Sequence, residues 1–348
     1  MRQVELHAPE EIRLIETPRP QPGPQEVLIA VAEVGICGSD LHAYHGKHPF
    51  ITLPVVPGHE FAGLVAEVGA EVTDFAPGDR VTVEPSLVCG ECYNCRHGRY
   101  NICSNLRVIG CQTPGAMAET IAVPTEKVLR LPDGVSWVQG ALAEPLAVGV
   151  RAARRAEFEP GANVMILGGG TIGLMTLQAA KALGAGTVMV SELLPERLAL
   201  AKELGADVLV NPGETDLLDA VEETFGERRA DVIIECVGIG ATVREAIRVA
   251  RKGTRIVIAG VFEQDISVSM GLVQDHELEL IGTLMYVDDD FPTALRLLAE
   301  GQARAEPLVS HRFPLEEAAE AFAVADERQG ALKVLIDVWT EEEQAVGR

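Results

Sequence analysis

Aromatic side chains make up only 4% of the 348 residues, and acidic residues outnumber basic ones 52 to 29, leaving a formal charge of −23. With so few Lys and Arg, the chain lacks the clustered cations on which phosphate-backbone binding depends, so a nucleic-acid partner is excluded. An anionic membrane surface would repel it for the same reason. No uninterrupted apolar run reaches the length of a membrane span, and the opening segment MRQVELHAPEEIRLIE holds no apolar core of signal-peptide length. Taken with the cysteine pattern, these absences point to a cytoplasmic protein. What remains is ordinary globular composition, 47% apolar and 23% charged, in a chain long enough for two domains with hydrophobic cores.

Seven cysteines are an odd number, and four of them, Cys89, Cys92, Cys95 and Cys103, fall within one short segment with gaps of two, two and seven residues. That pattern suggests metal ligation in a reducing compartment rather than a secreted disulfide framework. Four thiolates close a tetrahedral shell on zinc. The alternatives are an iron–sulfur cluster and a reactive dithiol. Bacterial ferredoxin spacing leaves three residues before the last Cys and usually a Pro after it, whereas here the gap is seven and Ser104 follows. With every position filled by protein sulfur, no substrate oxygen reaches such an ion, so this site is expected to be structural. Chemistry needs a second, open site, for which Cys37 in GICGSDLHAYHG and His59 and Glu60 in PGHEFAG are candidates.

The chain changes rhythm near Pro160. Before it, turn-rich segments (PRPQPGPQE, PFITLPVVPGHE, FAPGDRV) separate short alternating runs, which predicts an irregular β-rich domain. After it, strand and helix patterns alternate: NVMIL, TIGLMTLQAAKALGA, TVMVSE, LPERLALAKELGA, DVLVN, ETDLLDAVEETFG, ADVIIECVG, ATVREAIRVARKG, TRIVIAG and LELIGTLMY. This predicts a parallel sheet covered on both faces, hence an α/β chain. Residues from 287 onward are mixed and are expected to rejoin the first domain, giving 1–147 plus 287–348, with a metal lobe at 86–106, and 148–286 for the second domain. The tail TEEEQAVGR is expected to be solvated or frayed.

GGGTIG places Gly168, Gly170 and Gly173 in G-x-G-x-x-G order between a strand and a helix. The first glycine allows the tight turn, the second lets backbone approach a pyrophosphate, and the third lets helix pack on strand. A pyrophosphate would lie against the helix start at Thr171 and Ile172. Glu192 ends the following strand, where an acidic residue suits the ribose hydroxyl of NAD and would repel the 2′-phosphate of NADP. Leu193 stands where a phosphate binder would be expected to have Arg. Arg197, one helical turn on, is a further candidate for the adenosine ribose.

In order along the chain, GICGSDLH, PVVPGHEFAGLVAEVG, the four-cysteine segment, EPLAVGVRA and GGGTIGL resemble zinc-dependent medium-chain alcohol and polyol dehydrogenases over essentially the whole length. Within that group the chain is similar to the sorbitol (L-iditol) and 2,3-butanediol dehydrogenase branches. PLVSHRFPLEEAAEAF resembles the polyol enzymes, while VEPSLVCGEC and the strand ending in Glu192 are closer to the butanediol enzymes. The resemblance implies a GroES-like catalytic domain, a Rossmann NAD domain, two zincs per chain and a homodimer or homotetramer paired through the LELIGTLMY strand.

Carried over residue by residue, it implies that Cys37 and His59 bind a catalytic zinc. Glu60 is either a direct ligand or a neighbour of one, and Glu144 either binds zinc or holds its water. It further implies that Asp40 accepts a hydrogen bond from the second ring nitrogen of His59, and that Ser39 and His42 relay a proton. Tyr286 would lie near substrate, but Met285 replaces the Arg of sorbitol dehydrogenases, which removes five donors suited to a polyhydroxylated substrate. The expected activity is therefore reversible NAD-dependent oxidation of a secondary alcohol in a polyol or vicinal diol. L-threonine 3-dehydrogenases, which read like EPFGNAVH where this chain has EPLAVGVR, are an alternative. A non-catalytic zinc- or NAD-binding member of the superfamily is another, although such members usually lose the ligands present here. His7, His45, His48, His97, His276 and His311 are expected to be surface or packing residues, and Cys111 and Cys236 to be packing thiols.

Overall fold

The computed structural model describes residues 1–327 and 330–339, so the segment TEEEQAVGR lies outside the described residues. The chain divides into two compact units, Met1–Glu144 with Ala305 onward, and Pro145–Arg304.

The first unit is built on a seven-stranded sheet in the order Val309–Pro314, Lys333–Asp337, Glu26–Ile36, Glu60–Val68, Arg80–Val83 and Val128–Arg130, with Thr120–Pro124 also pairing to Glu26–Ile36. Val309–Pro314 runs parallel to its neighbour and the other pairings are antiparallel. The run EVLIAVAEVGI forms the central strand, and nearly all of it is buried because partners flank it on both sides. Val27, Ile29, Val31, Phe61, Val65, Val81, Met117 and Phe322 pack together as its core. Two features of this sheet position the site. The central strand pairs Gly35 with Glu60 on one side and Ile36 with Val334 on the other. Its end then delivers Cys37 to the start of the helix Gly38–Tyr44.

The second unit is a six-stranded, wholly parallel sheet in the order Val208–Val210, Val188–Ser191, Val164–Leu167, Val232–Glu235, Arg255–Ile258 and Glu279–Gly282. Helices Thr171–Ala182, Pro195–Glu203, Leu217–Phe225 and Gly240–Val249 connect the strands, as the alternating pattern predicts. The helix expected across ETDLLDAVEETFG starts at Leu217, because the Asp216 carboxylate accepts from the Leu218 and Asp219 N–H groups and caps it. LELIGTLMY contributes only Glu279–Gly282, the edge strand, and the short helix Met270–Asp275 had no sequence signal of its own. Cys236 follows a central strand, and burial, reinforced by Glu235, pushes its thiol up to about 12, as befits an inert packing residue.

Residues 287–304 lie in the second unit, so the expected rejoining at 287 comes at Ala305 instead. The reason is local bonding. Arg154 Nη1 donates to Asp290 Oδ1 at 2.6 Å, and the Gln178 amide both accepts from the Arg304 N–H and donates to its carbonyl. The helix Trp137–Ala156, which carries Glu144 and Pro145, straddles the division.

Candidate active site

The four-cysteine segment closes on itself. Sulfur separations are 3.4 Å (Cys89–Cys103), 3.5 Å (Cys92–Cys95), 3.9 Å (Cys92–Cys103) and 4.0 Å (Cys89–Cys95). Four sulfurs at the usual zinc–sulfur distance of about 2.3 Å would lie about 3.8 Å apart, so these thiols already outline a zinc-sized tetrahedron. Backbone N–H groups of Ser104 and Cys95 draw the Cys92 thiol down to about 5. Burial and the neighbouring sulfurs push Cys95 up to about 12. Four thiolates this close repel one another, and a dication among them would offset that repulsion. Between Cys89 and Ile102 only Asn101 is buried, so the lobe has no apolar core to hold it.

The second constellation lies wholly in the first unit. Cys37, His59 and Glu60 each offer a donor atom, and the three atoms lie within 4.8 Å of one another. Cys37 immediately precedes the helix Gly38–Tyr44. Asp40 reaches back to accept from the Cys37 N–H at 2.9 Å, fixing the turn that aims the sulfur. Asp40 Oδ1 also sits 3.7 Å from His59 Nδ1. Both atoms are buried and without a hydrogen-bond partner among the described residues, so the expected pair is adjacent but farther apart than a hydrogen bond. Burial disfavours charge on His59, yet Asp40 and the Cys37 sulfur outweigh it and hold the imidazole well above its ordinary value. Asp40 is raised, by burial above all. This buried, anion-rich donor set of mixed sulfur, nitrogen and carboxylate fits a zinc ion that keeps an exchangeable position.

Ser39 Oγ lies 3.4 Å from His59 Nε2, beside the nitrogen that Asp40 does not face. His42 is one turn further along the same helix, so the two relay candidates share a face. Glu144 is buried and acts electrostatically on Lys333, which places it in the same charged neighbourhood.

Three residues of this neighbourhood carried little sequence signal. Lys333 opens an apolar strand, yet it is fully buried and its Nζ donates to both oxygens of Glu60, at 2.8 and 2.5 Å, and to the Ile36 carbonyl at 3.0 Å. Burial works against the ammonium, but Glu60 first, then Cys37 and Glu144, hold its pKa above the ordinary lysine value. Gly35 is required because a Cβ there would stand 2.2 Å from Glu60 Oε2. Cys111, expected to pack inertly, is indeed buried and raised by burial, but its thiol also contacts His59 and so borders the site. Tyr286, in the second unit, is 1% exposed and packs edge-on against Phe291, with ring centroids 5.4 Å apart.

In the second unit the glycine turn has the anticipated form. Gly168 adopts φ 102°, and a Cβ on Gly173 would lie 1.9 Å from the Gly168 carbonyl oxygen. Gly173→Ala should therefore unseat the helix Thr171–Ala182 and lower the thermal midpoint by at least several degrees, read by differential scanning calorimetry. A Cβ on Gly170 would meet nothing nearer than Arg197 Nη1 at 4.0 Å, leaving that face open to a phosphate, with the guanidinium beside it. Glu192 Oε2 accepts from the Gly169 N–H at 2.8 Å, while Oε1 accepts from Leu193 and Leu194. Its carboxylate is thus pinned at the mouth of the turn.

Comparison with known proteins agrees with this geometry. Residues 23–133 match the alcohol dehydrogenase GroES-like domain, and residues 171–300 match the zinc-binding dehydrogenase domain. Sorbitol dehydrogenase of Bacillus subtilis (strain 168) is 37% identical over 97% of this chain and 97% of its own length. The chain belongs to the zinc-dependent medium-chain polyol dehydrogenase family. As a polyol dehydrogenase it acts on CH–OH donors, with a GroES-like unit and a Rossmann unit. Among solved structures, a protein described as a zinc-binding dehydrogenase from Sinorhizobium meliloti 1021, bound to NADP, superposes with a TM-score of 0.91 at 36% identity, covering 97% of this chain and 98% of that one. The 2R,3R-butanediol dehydrogenase of Bacillus subtilis superposes at 0.89 with 33% identity, covering 97% and 99%.

Proposed function

We propose that this polyol dehydrogenase oxidises a secondary alcohol of a polyol or vicinal diol to a ketone, using NAD and two zinc ions per chain. The observation that carries the reading is the convergence of Cys37, His59 and Glu60 within 4.8 Å, with Ser39 beside His59, apart from a four-thiolate lobe that can hold a closed ion. Zinc, when bound, supplies the Lewis acidity that lets an alcohol lose its proton near neutral pH. NAD, when bound, supplies the hydride acceptor. The remaining work falls to the chain. Cys37 and His59 hold the metal, with Glu60 a direct ligand or the neighbour of one, and Glu144 either a ligand or the residue that holds the metal's water. Asp40, facing His59 Nδ1, would accept a hydrogen bond there and so favour the tautomer whose Nε2 can ligate, once the two close to hydrogen-bond distance. Ser39 Oγ accepts the alcohol proton as it passes its own hydroxyl proton on, and His42 delivers a proton toward solvent. Gly168, Gly170, Thr171, Ile172 and Gly173 shape the pyrophosphate seat, and Arg197 flanks it.

Butanediol and sorbitol are the substrates named for the relatives, and the absence of an Arg at Met285 favours a diol or a polyol other than sorbitol. An NADH-absorbance screen over polyols, vicinal diols, sugar acids and L-threonine tests the reading. Turnover of a polyol or diol is expected, whereas turnover of threonine alone would replace it.

NAD rather than NADP is the choice that Glu192 supports, since an acid ending the strand after the glycine turn suits a ribose hydroxyl and would repel a 2′-phosphate. The NADP-bound relative makes this a point to measure. Glu192→Ala should raise the KM for NAD on the order of tenfold while leaving or lowering that for NADP, and an unchanged ratio of the two would refute the role. The Pro145–Arg304 unit is the NAD-binding domain in this proposal, and the other unit is catalytic. The edge strand Glu279–Gly282 exposes Leu280, with Leu284 just beyond it, and is the proposed pairing edge of a homodimer or homotetramer in the cytoplasm.

A further inference from the structure

Lys333 is a buried cation beside a set of residues that would hold another cation. Its ammonium has three donors, and all three are spent, on both oxygens of Glu60 and on the Ile36 carbonyl. Glu60 nevertheless keeps an oxygen within 4.8 Å of the donor atoms of Cys37 and His59. The same carboxylate is therefore within reach of two positive centres. Glu60 is fully buried, so its charge always needs a partner nearby. Gly35, having no Cβ, leaves the space in which Oε2 lies against the ammonium.

We propose that Lys333 is a positioning residue that competes with the metal for Glu60, weakening that carboxylate as a ligand and so keeping one metal position exchangeable for substrate. The inference rests on the metal centre proposed above. A carboxylate that shares its charge with an ammonium is a poorer donor than one that does not. Without the ammonium, Glu60 would have only the metal as counter-charge and would close onto it. Lys333 thus acts through Glu60 and does not itself touch substrate, cofactor or metal.

The test is the rate at which zinc-loaded protein releases zinc from the open site to a chromogenic chelator, with release from the four-thiolate lobe as an internal reference. Lys333→Met should slow release from the open site on the order of tenfold and lower kcat, while Lys333→Arg, which keeps the charge, should stay near the original rate. Glu60→Gln should cancel the slowing when combined with Lys333→Met. Release from Lys333→Met at the original rate or faster would overturn the proposal. Should that variant not fold, the double variant is compared with Glu60→Gln alone. Equal rates support action through Glu60, and unequal rates overturn it. Original protein that releases zinc only from the lobe would instead sink the metal-centre reading itself.

Discussion

Cys37→Ser protein should fold, bind NAD as before and lose on the order of 10⁴-fold or more in kcat/KM. A Lewis-acidic ion can lower the pKa of a bound hydroxyl by up to about nine units, on the order of 12 kcal/mol at 1.36 kcal/mol per unit. Even a loss of about 5.5 kcal/mol of this corresponds to four orders of magnitude in rate. Serine is nearly the same size as cysteine but offers no soft anionic donor, so the open site would lose its sulfur ligand with little change in packing. The fold should tolerate the change because Cys37 is only partly buried, while the Asp40 carboxylate still accepts from the backbone N–H at position 37. Steady-state kinetics alongside NAD binding by fluorescence would check both halves. Retained turnover would remove Cys37 from the chemistry.

Cys103→Ala should produce the opposite division, a damaged lobe with its chemistry untouched. Cys103 is the buried member of the four and receives N–H bonds from Cys89 and Asn105, so its sulfur organises both ends of the segment. Structural zinc sites contribute folding free energy outright, about 10–16 kcal/mol in small metal-dependent domains. Here nothing apolar replaces it, since Asn101 is the one buried residue between Cys89 and Ile102. The lobe should open and expose the bonds after Arg96 and Arg99 to trypsin, with cleavage at least tenfold faster than in the original protein. The surviving fraction should show an unaltered kcat. Equal protease resistance would mean that the backbone alone holds the lobe.

The regular parts of this molecule were legible because each rests on a local pattern. Alternating apolar strands and glycine-stopped helices carried the six-stranded sheet, and GGGTIG lay between strand and helix as its spacing required. The four cysteines declared a closed site through spacing alone. Cys37, His59 and Glu60 were candidates whose meeting depends on sheet register, which sequence separation does not reveal: Gly35 opposite Glu60 is a long-range pairing. Lys333 was hidden more deeply. One lysine at the head of the apolar run KVLID resembles a solvated strand end, and only the pairing of Val334 with Ile36 carries it to Glu60. Residues 287–304 were assigned to the wrong unit because Arg154 and Gln178, far away in sequence, hold them in the second.

The central claim is that one protein holds two zinc ions in different chemical settings, one closed by Cys89, Cys92, Cys95 and Cys103 and one left open by Cys37 and His59. Zinc content per chain, measured by elemental analysis on the original protein and on Cys37→Ser, tests it directly. The account predicts two and one, respectively. A single zinc in both proteins, or two in both, would contradict it.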